Sequence, residues 1–309
     1  MNIFFYCPWS SKQKWLKYIK LKFKGHKIYT LDDKFNVNEI EIAIIWKLPN
    51  KFFSKLINLK LIFSLGAGTD HILNLKDYKN TPIIRIKDLN MAKRMSNHVH
   101  SQILNFQLKL NSYLNAQKKK IWLEERETFH NNNFTVGILG VGFLGLAIGN
   151  YLKQLEYKVI GYKNNKNKSH ISFPIFSKKR INNFIEQSDI LISILPFTPE
   201  TNNFINQNFL KKMKKTALLI NVGRGELLNE EHLIRHLKIN KLFFASLDVF
   251  KNEPLPKNHK FWNHPNITVT PHIAAISDVE SSVDYMHKYF VSFLKKGKIK
   301  SDVDQKKKY

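Results

Sequence analysis

Three residues at the ends of apolar runs have the types and spacing to reduce a carbonyl. Arg224 follows the run 217–220 and sits between glycines in Asn221-Val222-Gly223-Arg224-Gly225. Glu253 lies downstream, just before Pro254, and His272 follows the run 268–270. Reduction of a 2-oxo acid has three chemical needs. One group must grip the carboxylate and polarise the carbonyl, one must give a proton to the oxygen, and one must keep that donor charged. A guanidinium offers a fork of N–H donors and keeps its charge. An imidazolium releases its proton near neutrality. A carboxylate beside the ring favours its charged form and orients it. Arg224, His272 and Glu253 suit these roles in turn. Each alone has a plainer reading, as a surface arginine, a structural histidine or a loop glutamate. Their order and their shared position after strands give the set its weight, because an open parallel sheet exposes its catalytic loops there.

A glycine-rich turn lies upstream, Gly140-Val141-Gly142-Phe143-Leu144-Gly145. The first glycine permits a tight turn, the second lets backbone approach a pyrophosphate, and the third lets helix pack on strand. The spacing is weak evidence alone. Here it follows a predicted strand at 135–139 and opens a predicted helix at 142–155, the context a dinucleotide site requires. An NAD enzyme places an acidic residue about 20 residues beyond such a turn. This chain instead reads Tyr162-Lys163-Asn164-Asn165-Lys166. No carboxylate there repels a 2′-phosphate, and Lys163 and Lys166 attract one, although a lysine-rich surface would supply the same residues. The expected cofactor is NADP(H), with NAD(H) second.

The elements that must position these residues alternate between strand and helix. In the first part of the chain, residues 3–6, 40–46, 59–64 and 82–86 read as strands and 12–24 as an amphipathic helix. Apolar runs bounded by turn residues carry that reading. Residues 92–114 read as one long helix without proline or glycine, and 118–133 as a polar connection. Strands are expected at 158–162, 190–194, 217–221, 243–248 and 268–270, with helices at 181–187, 207–213, 230–239 and 279–296. The alternation implies parallel sheets with helical crossovers.

Bulk properties narrow the class. At 309 residues the length favours about two domains. Cys7 is the only cysteine, so an internal disulfide or a cysteine-based zinc site is excluded, and no metal is expected. The amino terminus reads as a strand rather than a signal peptide. The apolar stretch 134–149 is shorter than the roughly 20 residues a spanning helix needs. The net charge of +26 invites a nucleic-acid reading. Yet the charge is spread over the whole chain, and only six of the 50 basic residues are arginine. Specific phosphate and base contacts favour arginine. AT-rich codons explain the abundance of lysine, asparagine, isoleucine and phenylalanine, so no specific nucleic-acid partner is expected.

Over essentially its whole length the chain resembles the D-2-hydroxyacid dehydrogenase family. The resemblance rests on Leu65-Gly66-Ala67-Gly68-Thr69-Asp70, the glycine turn, Leu195-Pro196-Phe197-Thr198-Pro199-Glu200-Thr201, the Arg224 motif, Asp248-Val249-Phe250 through Glu253-Pro254, and Pro271-His272-Ile273-Ala274-Ala275. Within it, Phe4-Phe5-Tyr6-Cys7-Pro8, Ile45-Trp46-Lys47-Leu48-Pro49 and Trp262-Asn263-His264-Pro265 are similar to the glyoxylate/hydroxypyruvate reductase branch. The resemblance implies an α/β fold of two doubly wound parallel-sheet domains. A Rossmann cofactor domain, 99–272, would be inserted into a flavodoxin-like substrate domain, 1–98 and 273–309. It implies a cytoplasmic homodimer that reduces glyoxylate and hydroxypyruvate with NADPH. It implies that backbone N–H groups of Gly66, Ala67 and Gly68 meet the substrate carboxylate, that Trp46 lines the pocket, and that Leu195, Pro196 and Asp248 lie with the cofactor. Lys163 departs from the family's usual aspartate, and Asn97 from its common glutamate. Two other readings stay open: a sibling D-lactate type enzyme, and a dinucleotide-sensing scaffold that binds partner proteins.

Overall fold

The computed structural model describes residues 1–124, 129–164 and 171–304. It divides into two compact units, residues 1–91 with 277–309, and residues 92–276. The sequence places the divisions at 98/99 and 272/273. The packing division falls near the start of the helix Leu89–Gln107 and ahead of the helix Val279–Lys296.

The first unit holds five strands, β1 (Asn2–Tyr6), β2 (Lys27–Tyr29), β3 (Ile40–Ile45), β4 (Leu61–Ser64) and β5 (Ile83–Arg85). All pair in parallel, in the order β2-β1-β3-β4-β5. That is the flavodoxin-like order, with its topological switch between β1 and β3. The strands β1, β3 and β4 are buried almost throughout, which is why they read as unbroken apolar runs. Helix Lys12–Lys22 packs against helix Val279–Lys296. Phe23 lies 4.9 Å from Phe290, and Lys22 pairs with Asp284 at 2.6 Å. The carboxyl-terminal helix therefore belongs to the amino-terminal unit.

The second unit holds seven strands, β6 (Thr135–Leu139), β7 (Lys158–Tyr162), β8 (Ile175–Phe176), β9 (Ile190–Ser193), β10 (Leu218–Asn221), β11 (Phe244–Leu247) and β12 (Ile267–Val269). Their order is β12-β11-β10-β9-β6-β7-β8, all parallel. This is a doubly wound Rossmann sheet with one further strand, and its switch point lies between β6 and β9. Alternate residues feed opposite faces. Leu139, Leu191, Leu219 and Ala245 enter one core, and Ile138, Ile190, Ile192 and Ile220 enter the other.

Several expected elements change. The helix expected at 92–114 is two helices, Leu89–Gln107 and Leu110–Lys118. Lys109 adopts a left-handed backbone, φ 52°, and redirects the chain without a glycine or proline. The edge strands β2 and β8, three and two residues long, had no apolar run to reveal them. Part of the polar connection expected at 118–133 is the last residue of a helix and a 3-10 turn at Asn131–Asn133. Among the described residues, no helix is long and apolar enough to cross a membrane, and no cluster of three or more His, Cys, Asp or Glu could hold a metal ion.

Candidate active site

The glycine turn leaves the carboxyl end of β6 at the switch point. The N–H groups of Gly140 and Val141 both donate to the Tyr162 carbonyl, at 3.2 and 3.3 Å, tying the turn to the end of β7. Gly140 has φ +117°, and a side chain there would meet the Ile194 and Leu195 backbone at 3.1 Å. A Cβ at Gly145 would overlap the Gly140 carbonyl oxygen, so helix and turn pack closer than any side chain allows. Gly142 is different, because a Cβ there would point into open space. It precedes the helix Phe143–Gln154, whose first bond runs from Leu146 N–H to the Gly142 carbonyl at 2.9 Å. Among the described residues, the N–H groups of Gly142, Phe143 and Leu144 donate to no protein acceptor. Open space, free donors and the positive end of a 12-residue helix dipole fit a pyrophosphate.

Leu195 and Pro196 follow β9 beside this turn. Their loop is stiffened where Thr201 Oγ1 donates to the Pro196 carbonyl at 2.8 Å and accepts from Thr198 N–H at 2.7 Å. Lys163 follows β7, with its N–H donating to the Phe176 carbonyl at 3.1 Å and its side chain partly exposed. Lys166 lies outside the described residues.

Arg224 sits in a cradle that only glycine neighbours permit. A Cβ at Gly223 would lie 2.9 Å from the Leu195 carbonyl oxygen, and one at Gly225 would overlap the Phe250 carbonyl. The backbone after β10 is therefore pressed against the ends of both β9 and β11. Asn221, fully buried, holds the bend: its Nδ2 donates to the Arg224 carbonyl at 3.0 Å. The half-buried guanidinium donates through Nη1 to the Gly223 carbonyl at 2.8 Å.

His272 Nδ1 meets Glu253 Oε2 at 2.8 Å and Oε1 at 3.0 Å. Glu253 Oε1 also accepts from the Phe250 N–H at 3.1 Å, which anchors the carboxylate to the end of β11. The imidazole side chain stays 40% exposed. The His272 backbone is left-handed, φ 53°, a conformation that costs about 1–2 kcal/mol for a residue with a Cβ. Its N–H is held by the carbonyls of Asp248 at 2.8 Å and Thr270 at 3.0 Å.

The Asp248 carboxylate, 1% exposed, organises the rest of that loop. It accepts from Thr270 Oγ1 at 2.6 Å, Ile273 N–H at 2.9 Å and Ala274 N–H at 2.9 Å. Hydrogen bonds to a charged group are worth about 1.5–3 kcal/mol each, enough to offset the backbone strain at His272. Helix Leu89–Gln107 backs the same strand end. Gln102 Oε1 accepts from Ser246 Oγ at 2.9 Å, and Arg94 Nε donates to the Ile273 carbonyl at 3.4 Å. Between them, burial pushes His98 below the ordinary histidine value, against the opposing pull of the Asp248 charge.

In the first unit, Trp46 follows β3 and Gly66, Ala67 and Gly68 follow β4. The Trp46 ring occupies the place of a side chain at 66, with a ring carbon 2.6 Å from where a Cβ would stand. Among the described residues, the N–H groups of Gly66, Ala67 and Gly68 donate to no protein acceptor.

Sequence reasoning brought Arg224, Glu253 and His272 forward but missed what fixes them. The inward network from Asp248 to residues 270–274 and the Asn221 clamp were not foreseen. The one available signal was a hydroxyl, Thr270, directly ahead of Pro271 and His272.

Residues 100–274 match the family model for the D-isomer specific 2-hydroxyacid dehydrogenase, NAD binding domain. The glyoxylate/hydroxypyruvate reductase A of Serratia proteamaculans (strain 568) is 32% identical over 293 residues, covering 92% of each chain. That of Yersinia enterocolitica serotype O:8 is 30% identical over 290 residues, again covering 92% of each. A solved structure of an NADPH-dependent glyoxylate/hydroxypyruvate reductase from Sinorhizobium meliloti, in complex with NADP and sulfate, superposes with TM-score 0.92 at 28% identity, covering 100% of this chain and 99% of that one.

Proposed function

The chain belongs to the D-isomer-specific 2-hydroxyacid dehydrogenase family, and from that premise we propose that it reduces glyoxylate to glycolate and hydroxypyruvate to D-glycerate with NADPH, as a cytoplasmic homodimer. The observation that carries the reading is the 2.8 Å pair between His272 Nδ1 and Glu253 Oε2. It commits one ring nitrogen to a carboxylate and leaves the other as proton donor.

The bound dinucleotide supplies the hydride. Gly140, Val141, Gly142, Phe143, Leu144 and Gly145 hold its pyrophosphate, with Leu195 and Pro196 beside it. Lys163 and Lys166 meet the 2′-phosphate. Arg224 grips the substrate carboxylate and polarises the carbonyl oxygen, and the backbone N–H groups of Gly66, Ala67 and Gly68 are substrate-binding groups. Trp46 bounds the substrate. As the carbonyl carbon gains hydride, His272 Nε2 gives its proton to the oxygen, so the product leaves as a 2-hydroxy acid. Glu253 keeps the ring oriented and balances its charge. Asp248, expected beside the cofactor, contributes in this reading through the loop that its carboxylate binds.

The homodimer is supported by an exposed apolar series, Leu108, Leu110, Leu114, Ile121 and the 91% exposed Trp122, a concentration that marks association surfaces. Sedimentation of the wild type beside Trp122→Lys tests it, with a lighter variant expected.

The activity test is NADPH oxidation with glyoxylate and hydroxypyruvate, repeated with NADH and with pyruvate. Turnover that prefers NADPH and the first two substrates is expected. Turnover only with pyruvate moves the protein to a D-lactate type activity. Tight dinucleotide binding without turnover of any pair overturns the enzymatic reading in favour of a scaffold.

A further inference from the structure

Behind the 66–68 loop lies a chain of hydrogen bonds that joins Ser64, His71 and Lys47. Ser64, the last residue of β4, is completely buried. Its hydroxyl donates to the Gly68 carbonyl at 2.9 Å. A hydroxyl has one proton, so its 3.1 Å contact with His71 Nε2 requires the imidazole to be the donor there. The other ring nitrogen, Nδ1, accepts from the Lys47 N–H at 3.1 Å. A ring with its proton on Nε2 and an open Nδ1 satisfies these three bonds. Lys47 is itself left-handed, φ 48°, and directly follows Trp46. The His71 ring also packs on the Trp46 indole, centroids 4.3 Å apart and tilted by 52°.

His71 therefore links the loop after β3 to the loop after β4. Through Lys47 and Trp46 it fixes the indole, and through Ser64 it fixes the Gly68 carbonyl. A peptide whose carbonyl is held inward carries its neighbours' N–H groups in a set direction. We propose that His71, acting through Ser64, is a positioning residue that holds the 66–68 N–H groups and the Trp46 ring in the geometry that receives the substrate carboxylate. The proposal rests on the reading of that loop as the carboxylate seat.

Two substitutions separate its halves. His71→Asn keeps an acceptor at the Nδ1 position for Lys47 and loses the reach to Ser64. His71→Gln places an amide N–H where Nε2 stands and keeps the Ser64 link. Ser64→Ala removes the hydroxyl with little change in volume. The expected result is a KM for glyoxylate about 5- to 10-fold higher in His71→Asn and Ser64→Ala, the scale of one lost hydrogen bond. The KM for NADPH stays within twofold, kcat within threefold, and His71→Gln recovers most of the glyoxylate affinity. Backbone amide order parameters at 66–68 fall in His71→Asn and Ser64→Ala while those of the strands of the same sheet stay unchanged. A glyoxylate KM unchanged in both, or one that rises in step with the NADPH KM, overturns the proposal. Should the wild type reduce no 2-oxo acid, the functional reading fails, and the order parameters decide the positioning role alone. Unchanged order parameters at 66–68 then overturn it, and lower ones confined there support it.

Discussion

Gly225→Ala adds one methyl group at the point where the candidate catalytic residues share backbone. A Cβ at 225 would fall on the Phe250 carbonyl carbon, with the Lys251 nitrogen also inside contact distance. Ordinary contact between such atoms needs about 3.5 Å, so the two segments must separate by more than 1 Å. Neither side can yield cheaply. On one side Asn221 clamps the Arg224 carbonyl, and on the other Phe250 N–H holds Glu253. Overpacking of this kind costs about 1–3 kcal/mol. For a domain of this size that is roughly 2–12 °C in Tm. The larger effect is on rate. Moving Phe250 moves Glu253, and with it His272, while Arg224 shifts the opposite way. A misplacement of about 1 Å in reacting groups costs on the order of 100-fold. The assay is kcat for glyoxylate reduction beside a thermal melt and an NADPH titration. The expected result is kcat lowered about 30- to 300-fold with NADPH affinity within threefold. A variant with near-normal kcat and Tm refutes the cradle, because it would mean that the Arg224 and Glu253 segments move independently.

Glu253→Gln keeps a hydrogen-bond acceptor for His272 but removes the charge, and is expected to lower kcat about 10- to 100-fold with little change in NADPH binding, read by steady-state kinetics. Lys163→Asp should lower kcat/KM for NADPH about 10- to 100-fold and change that for NADH less than threefold, since only the 2′-phosphate meets the reversed charge. Tyr157, buried and donating to Gln107 at 2.8 Å, is pushed up to about 12 by burial. Below pH 10 it is protonated folded and unfolded alike. From there to about 12 the unfolded chain gives up its proton first, so stability falls as pH rises, by about 2–3 kcal/mol in all. Denaturant unfolding across that range should show a shallower alkaline slope in Tyr157→Phe than in the wild type.

The sequence revealed what is periodic or chemically conspicuous. Central strands such as Ile190–Ser193 and Leu218–Asn221 are buried on both faces, so their apolar runs were plain. The glycine turn declared its strand and helix because two of its three glycines answer to sterics that any side chain would violate. The edge strands Lys27–Tyr29 and Ile175–Phe176 stayed hidden, being short and stabilised by one neighbour each. The break at Lys109 was hidden too, because a left-handed lysine has no signature in sequence. Arg224, Glu253 and His272 stood out by residue type. Asp248 was conspicuous as a strand-end carboxylate, yet nothing in its surroundings said that it faces inward to three donors 22–26 residues away. Long-range polar bonds leave no period, so the groups that orient a site are harder to see than the groups that react. His71 illustrates the same gap: Lys47, Ser64 and Trp46 meet it through the fold rather than through spacing.

The discontinuous first unit has a consequence for synthesis. Helix Lys12–Lys22 emerges from the ribosome early, and Trp15, Ile19 and Phe23 need partners for their apolar face. Part of that cover is Phe290, in a helix that ends at Lys296, well over the second unit's length later. At about 5–20 residues per second the wait is about 15–55 s. Residues 92–276 meanwhile are complete and can fold while the sheet that precedes them still lacks its last helix. The nascent chain thus inverts the usual order, with its middle maturing before its beginning. Over that interval the amino-terminal segment is the natural client of a chaperone, and a ribosome stalled with residues 279–296 still inside its exit tunnel would carry a complete cofactor unit and an incomplete first unit.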